Sequence, residues 1–176
     1  MKAGENPFRT ERLERVGFRL PEGVTWDDLL ARLQDQPTSM RLRNRLGVLY
    51  AQYGRSEGAR KQFEQILAED EYAPALVNLA NILFLAGDYG GAATYFGRAI
   101  ALNASSPAAL LGAARAAHAQ EHFEEAGALY RTLSEVDPDL AARFSYLDVS
   151  GGSAPEARAG GSVQQQTVVV WDNGEE

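Results

Sequence analysis

The stretch Leu76-Val-Asn-Leu-Ala-Asn-Ile-Leu83, with the later stretch Ala92-Ala-Thr-Tyr-Phe96, decides the fold. In the first stretch, apolar residues recur three and four positions apart around a small residue, Ala80. In the second, a small residue precedes a large aromatic one by four positions. Both spacings are typical of amphipathic helices. The sequence between them, Ala86-Gly-Asp-Tyr89, suits the end of one helix and the start of the next. The two stretches therefore predict a helical hairpin.

The same frame occurs in two other parts of the chain. It appears as Leu46-Gly-Val-Leu-Tyr50 before Ala59–Phe63, and as Leu110–Ala117 before Ala126–Tyr130. Equivalent residues lie 33 and then 34 positions apart at three places in the frame: Gly47, Ala80 and Ala114; Ala59, Ala92 and Ala126; Phe63, Phe96 and Tyr130. Because three markers keep one period, the sequence predicts a tandem array of repeats.

This frame resembles the tetratricopeptide repeat, W-x2-L-G-x2-Y, then A-x3-F, then P. The resemblance covers about residues 40–138, and Asp137-Pro138 closes the third repeat. Arg43 replaces the first large apolar residue of the first repeat, and Glu71 and Ala104 replace the final Pro of the first two. The resemblance implies an all-α fold, a right-handed superhelical array of about three helix-turn-helix hairpins.

The rest of the chain is expected to cap and extend this array. Residues 1–39 form an N-terminal arm with a short strand at Arg15–Leu20 and a capping helix that opens at Thr25. The array itself covers 40–148, with repeats at 40–72, 73–106 and 107–140 and a capping helix over 140–148. Residues 149–176 are a flexible linker and an extended acidic tail, in which Thr167–Trp171 favours a strand.

Composition narrows the classes of function. The net charge is −7 and no Lys/Arg cluster occurs, so neither nucleic acid nor an anionic membrane is an expected partner. No apolar run reaches the length of a membrane helix, about 18 residues, so membrane insertion is not expected. Cysteine is absent and no secretory signal is visible, which favours a cytoplasmic location. A periplasmic or exported protein whose signal has been removed is the alternative.

One short motif suggests catalysis. His118-Ala-Gln-Glu121-His122 spells H-x-x-E-H, a zinc-peptidase pattern that needs both imidazoles on one helix face. The repeat frame places this motif at a turn, so a solvated turn is expected and a metal-dependent peptidase is a distant alternative. No phosphate-binding loop or Ser/His/Asp set occurs. We therefore expect no enzyme activity, metal or cofactor.

The resemblance also implies a binding surface, because the first helix of each hairpin lines a concave groove in that family. Matched by position, the groove residues are Arg41, Asn44, Arg45, Val48, Gln52, Val77, Asn78, Asn81, Phe84, Leu111, Arg115 and His118. The set contains three Arg, three Asn and no acid. Asn amides suit a peptide main chain and Arg suits carboxylates, so the expected partner is a protein or extended peptide with acidic groups.

Two functions follow from this organisation. The first is a protein–protein interaction scaffold whose groove holds a partner, or holds the C-terminal tail Val168–Glu176 of the same chain or of a neighbouring one. The second is a structural assembly or oligomerisation subunit that makes its contacts through its extended N- and C-terminal arms. For the tail itself, the alternative to the groove is pairing with the strand Arg15–Leu20, which would only complete the fold.

Overall fold

The computed structural model describes residues 26–148 and 169–174. Within these ranges the chain forms eight α-helices and one 3-10 helix, and no strand. None of these helices is long and apolar enough to cross a membrane. The helices are α1 (Trp26–Asp35), α2 (Met40–Gln52), α3 (Ser56–Leu67), α4 (Ala73–Leu85), α5 (Tyr89–Leu102), α6 (Pro107–Ala119), α7 (Phe123–Val136) and α8 (Pro138–Ala142), and the 3-10 helix is Ser145–Leu147. The strand expected at Arg15–Leu20 lies outside the described residues.

Helices α2 to α7 form three consecutive hairpins, α2–α3, α4–α5 and α6–α7, and each hairpin packs on the next. The prediction of an all-α array of repeated hairpins is confirmed. Side-chain caps begin several of the helices: Ser39, Asp88 and Ser106 each accept a hydrogen bond from a first-turn N–H. Pro74 and Pro107 stand in the first turn of α4 and α6, where the missing N–H costs nothing.

The core of the array consists of aromatic rings packed against small residues. Phe63 and Phe96 are fully buried, as are the alanines that precede each of them by four positions. A methyl group added at Gly47 would collide with the ring of Phe63, and one added at Gly112 would collide with the ring of Phe96. The first contact closes the α2–α3 hairpin, and the second joins α5 to α6. The spacing of the helices therefore depends on the absence of a side chain at these positions.

Two Gly→Ala substitutions should have opposite effects on stability. Gly112→Ala should lower the free energy of unfolding by about 1–2 kcal/mol, because overpacking against Phe96 outweighs the better helix propensity of alanine. Gly97→Ala, also within a helix but with no atom near the added methyl, should raise it by about 0.5–1 kcal/mol. Urea denaturation measures both, and equal effects would contradict the packing described for Gly112.

The turn inside each hairpin uses a residue in the left-handed region. Gly54 and Gly87 have φ of 69° and 84°, and the third hairpin has Glu121 at φ 62°. Glycine adopts this conformation without cost, whereas a residue with a Cβ is strained there. The three positions lie 33 and then 34 residues apart, as the repeat period requires, and they share one backbone conformation.

Replacing Glu121 by Gly should therefore stabilise the protein. We expect Glu121→Gly to raise the free energy of unfolding by up to about 1 kcal/mol, since relief of the left-handed strain exceeds the added entropy of the unfolded chain. Ala128→Gly, at an exposed position inside α7, is the control and should lower it by about 0.8–1 kcal/mol. Thermal melting of the three proteins decides the matter, and a loss of stability in Glu121→Gly would contradict the expectation.

Both ends of the array are covered by additional helices. At the N-terminal end, Leu29 of α1 packs against a cluster that contains Leu42 and Leu46. At the C-terminal end a single helix was expected over 140–148. Instead α8 ends at Ala142, and a separate 3-10 helix follows. The buried residues Ala141, Phe144 and Leu147 are spaced by three. Hydrogen bonds that span three residues run from the Phe144 N–H to the Ala141 carbonyl and from the Leu147 N–H to the Phe144 carbonyl, and this spacing keeps the three buried residues on one face.

Candidate peptide-binding groove

Three asparagines line one side of the first two hairpins. Asn44 lies on α2, and Asn78 and Asn81 lie on α4. Their exposed fractions are only 0 %, 0 % and 3 %. The Asn78 amide donates a hydrogen bond of 2.9 Å to the side-chain oxygen of Asn44. Burial of a polar amide is costly unless the amide is hydrogen-bonded. The other hydrogen-bond partners of these three side chains therefore indicate what this surface binds.

Those partners belong to the main chain of residues 169–174. The carbonyl of Asp172 accepts from the amides of Asn44 and Asn78, at 2.8 and 2.7 Å. The N–H of Asp172 donates to the side-chain oxygen of Asn78 at 2.9 Å. The carbonyl of Val170 accepts from Asn81 at 2.8 Å. The asparagines therefore hold a second segment of the chain by its backbone, and one of them bonds both main-chain groups of a single residue.

The segment 169–174 runs antiparallel to α4. Val170 lies at Asn81, Asp172 lies at Asn78, and Gly174 lies beside Pro74 at the start of the helix. A strand was expected over 167–171, but residues 169–171 form none. The reason is that the hydrogen bonds of this segment go to side chains, not to another strand. Pairing between the tail and Arg15–Leu20 concerns residues outside the described part of the chain.

Successive side chains of this segment point to different hairpins. Val170 packs against the cluster of the third hairpin and the C-terminal cap, which contains Leu110 and Leu111. Trp171 packs against the cluster between the first and second hairpins, which contains Val48 and Phe63. Alternation of this kind is the property of an extended chain. The segment consequently contacts all three repeats.

The structure divides the twelve predicted groove residues into groups. The three asparagines hydrogen-bond the segment, and Val48 and Leu111 belong to the clusters against which it packs. Val77 instead lies in the core between the second and third hairpins. Arg41 and Gln52 are exposed and Arg45 is half-buried on α2. The remaining three, Phe84, Arg115 and His118, line a separate pocket. That the full set binds a partner stays a prediction.

The pocket lies toward the C-terminal end of the groove and has a volume of about 370 Å³. Its most buried charged group is Arg115, which is 4 % exposed. The guanidinium lies 4.6 Å from the ring centroid of Phe84 and 5.6 Å from that of Phe144. Burial lowers the pKa of Arg115, and the hydrogen-bonded neighbour Tyr146 partly opposes this effect. Burial likewise raises the pKa of Tyr146, so its hydroxyl stays neutral at ordinary pH.

Two contributors to these surfaces were missed from the sequence. Tyr146 lies in the C-terminal cap, and Tyr72 immediately precedes α4. Neither is part of a first helix of a hairpin, so the repeat frame gives no signal for them. Tyr72 could have been suspected only because it is a large aromatic residue next to the helix-starting Ala73-Pro74.

The H-x-x-E-H motif spans the turn of the third hairpin. His118 is in the last turn of α6, Glu121 is in the turn, and His122 is the N-cap of α7. The two imidazoles thus do not lie on one helix. His118 packs edge-on against Phe123 and Tyr146, with ring centroids 5.3 Å apart in both cases. Among the described residues, no group of three or more His, Asp or Glu side chains is arranged to hold a metal ion.

Substitutions at Arg115 should separate its charge from its bulk. Arg115→Met should change the free energy of unfolding by no more than about 1 kcal/mol, since an apolar chain of similar length fills the slot without the cost of a buried charge. Arg115→Ala should lower it by about 2 kcal/mol or more, because it leaves a cavity between the two phenylalanine rings. Urea unfolding measures both variants. Equal losses would mean that the charge, not the packing, stabilises this region.

Comparison with known proteins agrees with this architecture. The family model "Tetratricopeptide repeat" matches residues 83–147, from the end of α4 to the 3-10 helix. Sixteen chains of solved structures match significantly. One of them, in the crystal structure of MamA, is 20 % identical with a TM-score of 0.57, over 69 % of this chain and 77 % of that chain. No curated protein matches the sequence significantly.

Residues 83–147 thus match the tetratricopeptide repeat model, and the hairpins described above have the same helical architecture. Such repeats are generally non-catalytic scaffolds that bind proteins or peptides. At this coarse level the protein is an interaction scaffold made of helical hairpins.

Proposed function

We propose that the concave surface formed by α2, α4 and α6 binds an extended segment of a partner protein, and that residues 170–174 are an internal competitor for that site. The observation that carries the proposal is the pair of hydrogen bonds between Asn78 and the N–H and C=O of Asp172, at 2.9 and 2.7 Å. An asparagine amide offers one donor side and one acceptor side, as a neighbouring β-strand would.

These bonds require no particular side chain in the ligand. They use only main-chain groups, namely the carbonyl of Val170 and the N–H and carbonyl of Asp172. Every residue other than proline has both groups, and proline has the carbonyl alone. A partner segment in extended conformation could therefore replace residues 170–172 with the same set of bonds. Apolar side chains on either side of the segment would add affinity through the two clusters that Val170 and Trp171 contact.

The tail regulates access because it is covalently attached. A tethered ligand acts at an effective concentration of about millimolar, so a partner must bind more tightly than a free tail peptide to displace it. The same contacts could form between two chains if each inserted its tail into the other. In either arrangement the groove is closed until a competitor or a change in the tail opens it.

We further propose that the partner segment carries acidic residues C-terminal to the position equivalent to Asp172. Arg41 and Arg45 stand on either side of the Asn44 position along α2, one exposed and one half-buried. The tail segment runs toward this end of the array, from the third hairpin to the first. Guanidinium groups bind carboxylates with two parallel hydrogen bonds, so acids that follow the bound segment would be favoured there.

A peptide titration tests the proposal. The full-length chain with Val170→Asp and Trp171→Asp, here the open variant, should release its tail, because carboxylates are not tolerated in the apolar clusters. A fluorescently labelled peptide of residues 162–176 should bind the open variant saturably and bind the wild type at least about tenfold more weakly. Adding Asn44→Ala and Asn78→Ala to the open variant should weaken binding by about tenfold or more.

Two controls make the result specific. Thr132→Ala in the open variant changes an exposed residue of α7, outside the predicted groove, and should leave the affinity within about twofold. Sedimentation of the wild type distinguishes the two arrangements, since a dimer that dissociates in the open variant would mean that the tail is a neighbour's. Equal binding to the open variant with and without the asparagines would contradict the proposal. Arg41→Glu with Arg45→Glu tests the acidic preference, and unchanged salt dependence of binding would exclude it.

A further inference from the structure

We infer that the groove selects segments with an aliphatic residue, then Trp, then Asp or Asn, then any residue, then Gly. This inference rests on the proposed function and names the class of partner segment that the groove accepts. The bound residues Val170-Trp-Asp-Asn-Gly174 supply the observations. The main-chain bonds at Val170 and Asp172 set the register, so each side chain of the segment is placed against a fixed surface.

The glycine is required for two separate reasons. Gly174 has φ of +68°, a conformation that residues with a Cβ rarely adopt. In addition, a methyl group added to Gly174 would collide with the hydroxyl of Tyr72. The added carbon would lie 3.3 Å from the Cζ atom of Tyr72 and 3.6 Å from Cγ of Pro74. The first reason belongs to the peptide and the second to the groove. A larger residue at this place therefore requires the Tyr72 side chain to shift.

The residue two positions before the glycine is selected by the turn it makes. The side-chain oxygen of Asp172 accepts a hydrogen bond of 2.9 Å from the N–H of Gly174. Such a turn needs a short side chain with an acceptor oxygen, which Asp and Asn both provide. Because the main chain of Asp172 is held by Asn44 and Asn78, the turn also directs the following residues toward Tyr72.

The remaining three positions differ in their surroundings. Trp171 packs against the cluster between the first two hairpins, and Val170 packs against the cluster of the third. Both sites are apolar, and the first accommodates a large ring. Asn173, by contrast, is exposed. The groove consequently reads four of the five residues and tolerates variation at the fourth position.

Variants of the labelled 162–176 peptide, titrated against the open variant, test this pattern. Asn173→Ala and Asp172→Asn should bind within about twofold of the unchanged peptide. Asp172→Ala should bind about fivefold to tenfold more weakly, because the turn loses its hydrogen bond. Trp171→Ala should bind at least about thirtyfold more weakly because the large apolar contact is lost. Gly174→Ala should also lose at least about thirtyfold, because strain and collision add.

A substitution in the groove separates the two causes at the glycine. In the open variant with Tyr72→Phe the hydroxyl is absent, so the ratio of affinities for the Gly174 and Gly174→Ala peptides should shrink. The residual ratio should be about fivefold to thirtyfold, the share that the left-handed backbone alone contributes. Comparing the ratio, not the affinities, cancels any general effect of Tyr72→Phe on binding.

The outcomes distinguish this inference from the proposed function. If the unchanged peptide binds and Gly174→Ala binds equally well, the sequence pattern is wrong and the main-chain groove stands. If Tyr72→Phe leaves the Gly-to-Ala ratio unchanged, Tyr72 does not select the glycine and that part of the inference fails. If the unchanged peptide does not bind the open variant at all, the proposed function itself is contradicted.

Discussion

The contact of an aromatic ring with a residue that has little or no side chain sets the geometry of the whole array. Phe63 occupies the space left by Gly47, and Phe96 occupies the space left by Gly112. These contacts fix how closely α2 approaches α3 and α5 approaches α6. Phe63 also belongs to the buried cluster that joins the first hairpin to α4, the helix that carries Asn78. Asn44 and Asn78 come within 2.9 Å of each other because the hairpins that carry them are packed at this distance.

Repetition made the fold predictable from one sequence. Three markers at a period of 33 or 34 residues identify the hairpins, and the turn positions Gly54, Gly87 and Glu121 follow from the same alignment. The helical frame also predicts which residues face the concave side. It does not show which of them remain accessible: Val77 is covered by neighbouring side chains, and Arg115 is enclosed between aromatic rings. Burial depends on contacts between hairpins, which local periodicity does not contain.

The conformation of residues 169–174 was the least predictable part. High β-propensity around Thr167–Trp171 suggests a strand partner, whereas the described residues 169–171 are extended without one. The actual bonds join residues 94 and 128 positions apart, through side-chain amides on two different helices. Only the tertiary arrangement of the repeats brings those amides together. The close approach of the Tyr72 hydroxyl to Gly174 is equally nonlocal, because it joins the tail to the residue that precedes α4.

Arrays of this kind usually behave as one-dimensional chains, in which each repeat feels only its two neighbours and the ends unravel first. The segment 170–174 changes that behaviour, since it touches the third hairpin at Val170 and the first at Asp172. The segment therefore links the first hairpin to the third, which are not neighbours in the array. While the segment is bound, the first and third repeats cannot separate without breaking its contacts, and these contacts maintain the curvature of the array. A partner segment that made the same contacts would link the repeats in the same way, whereas an empty surface would leave each repeat coupled to its neighbours alone, so the stiffness of the array depends on whether this one narrow surface is occupied.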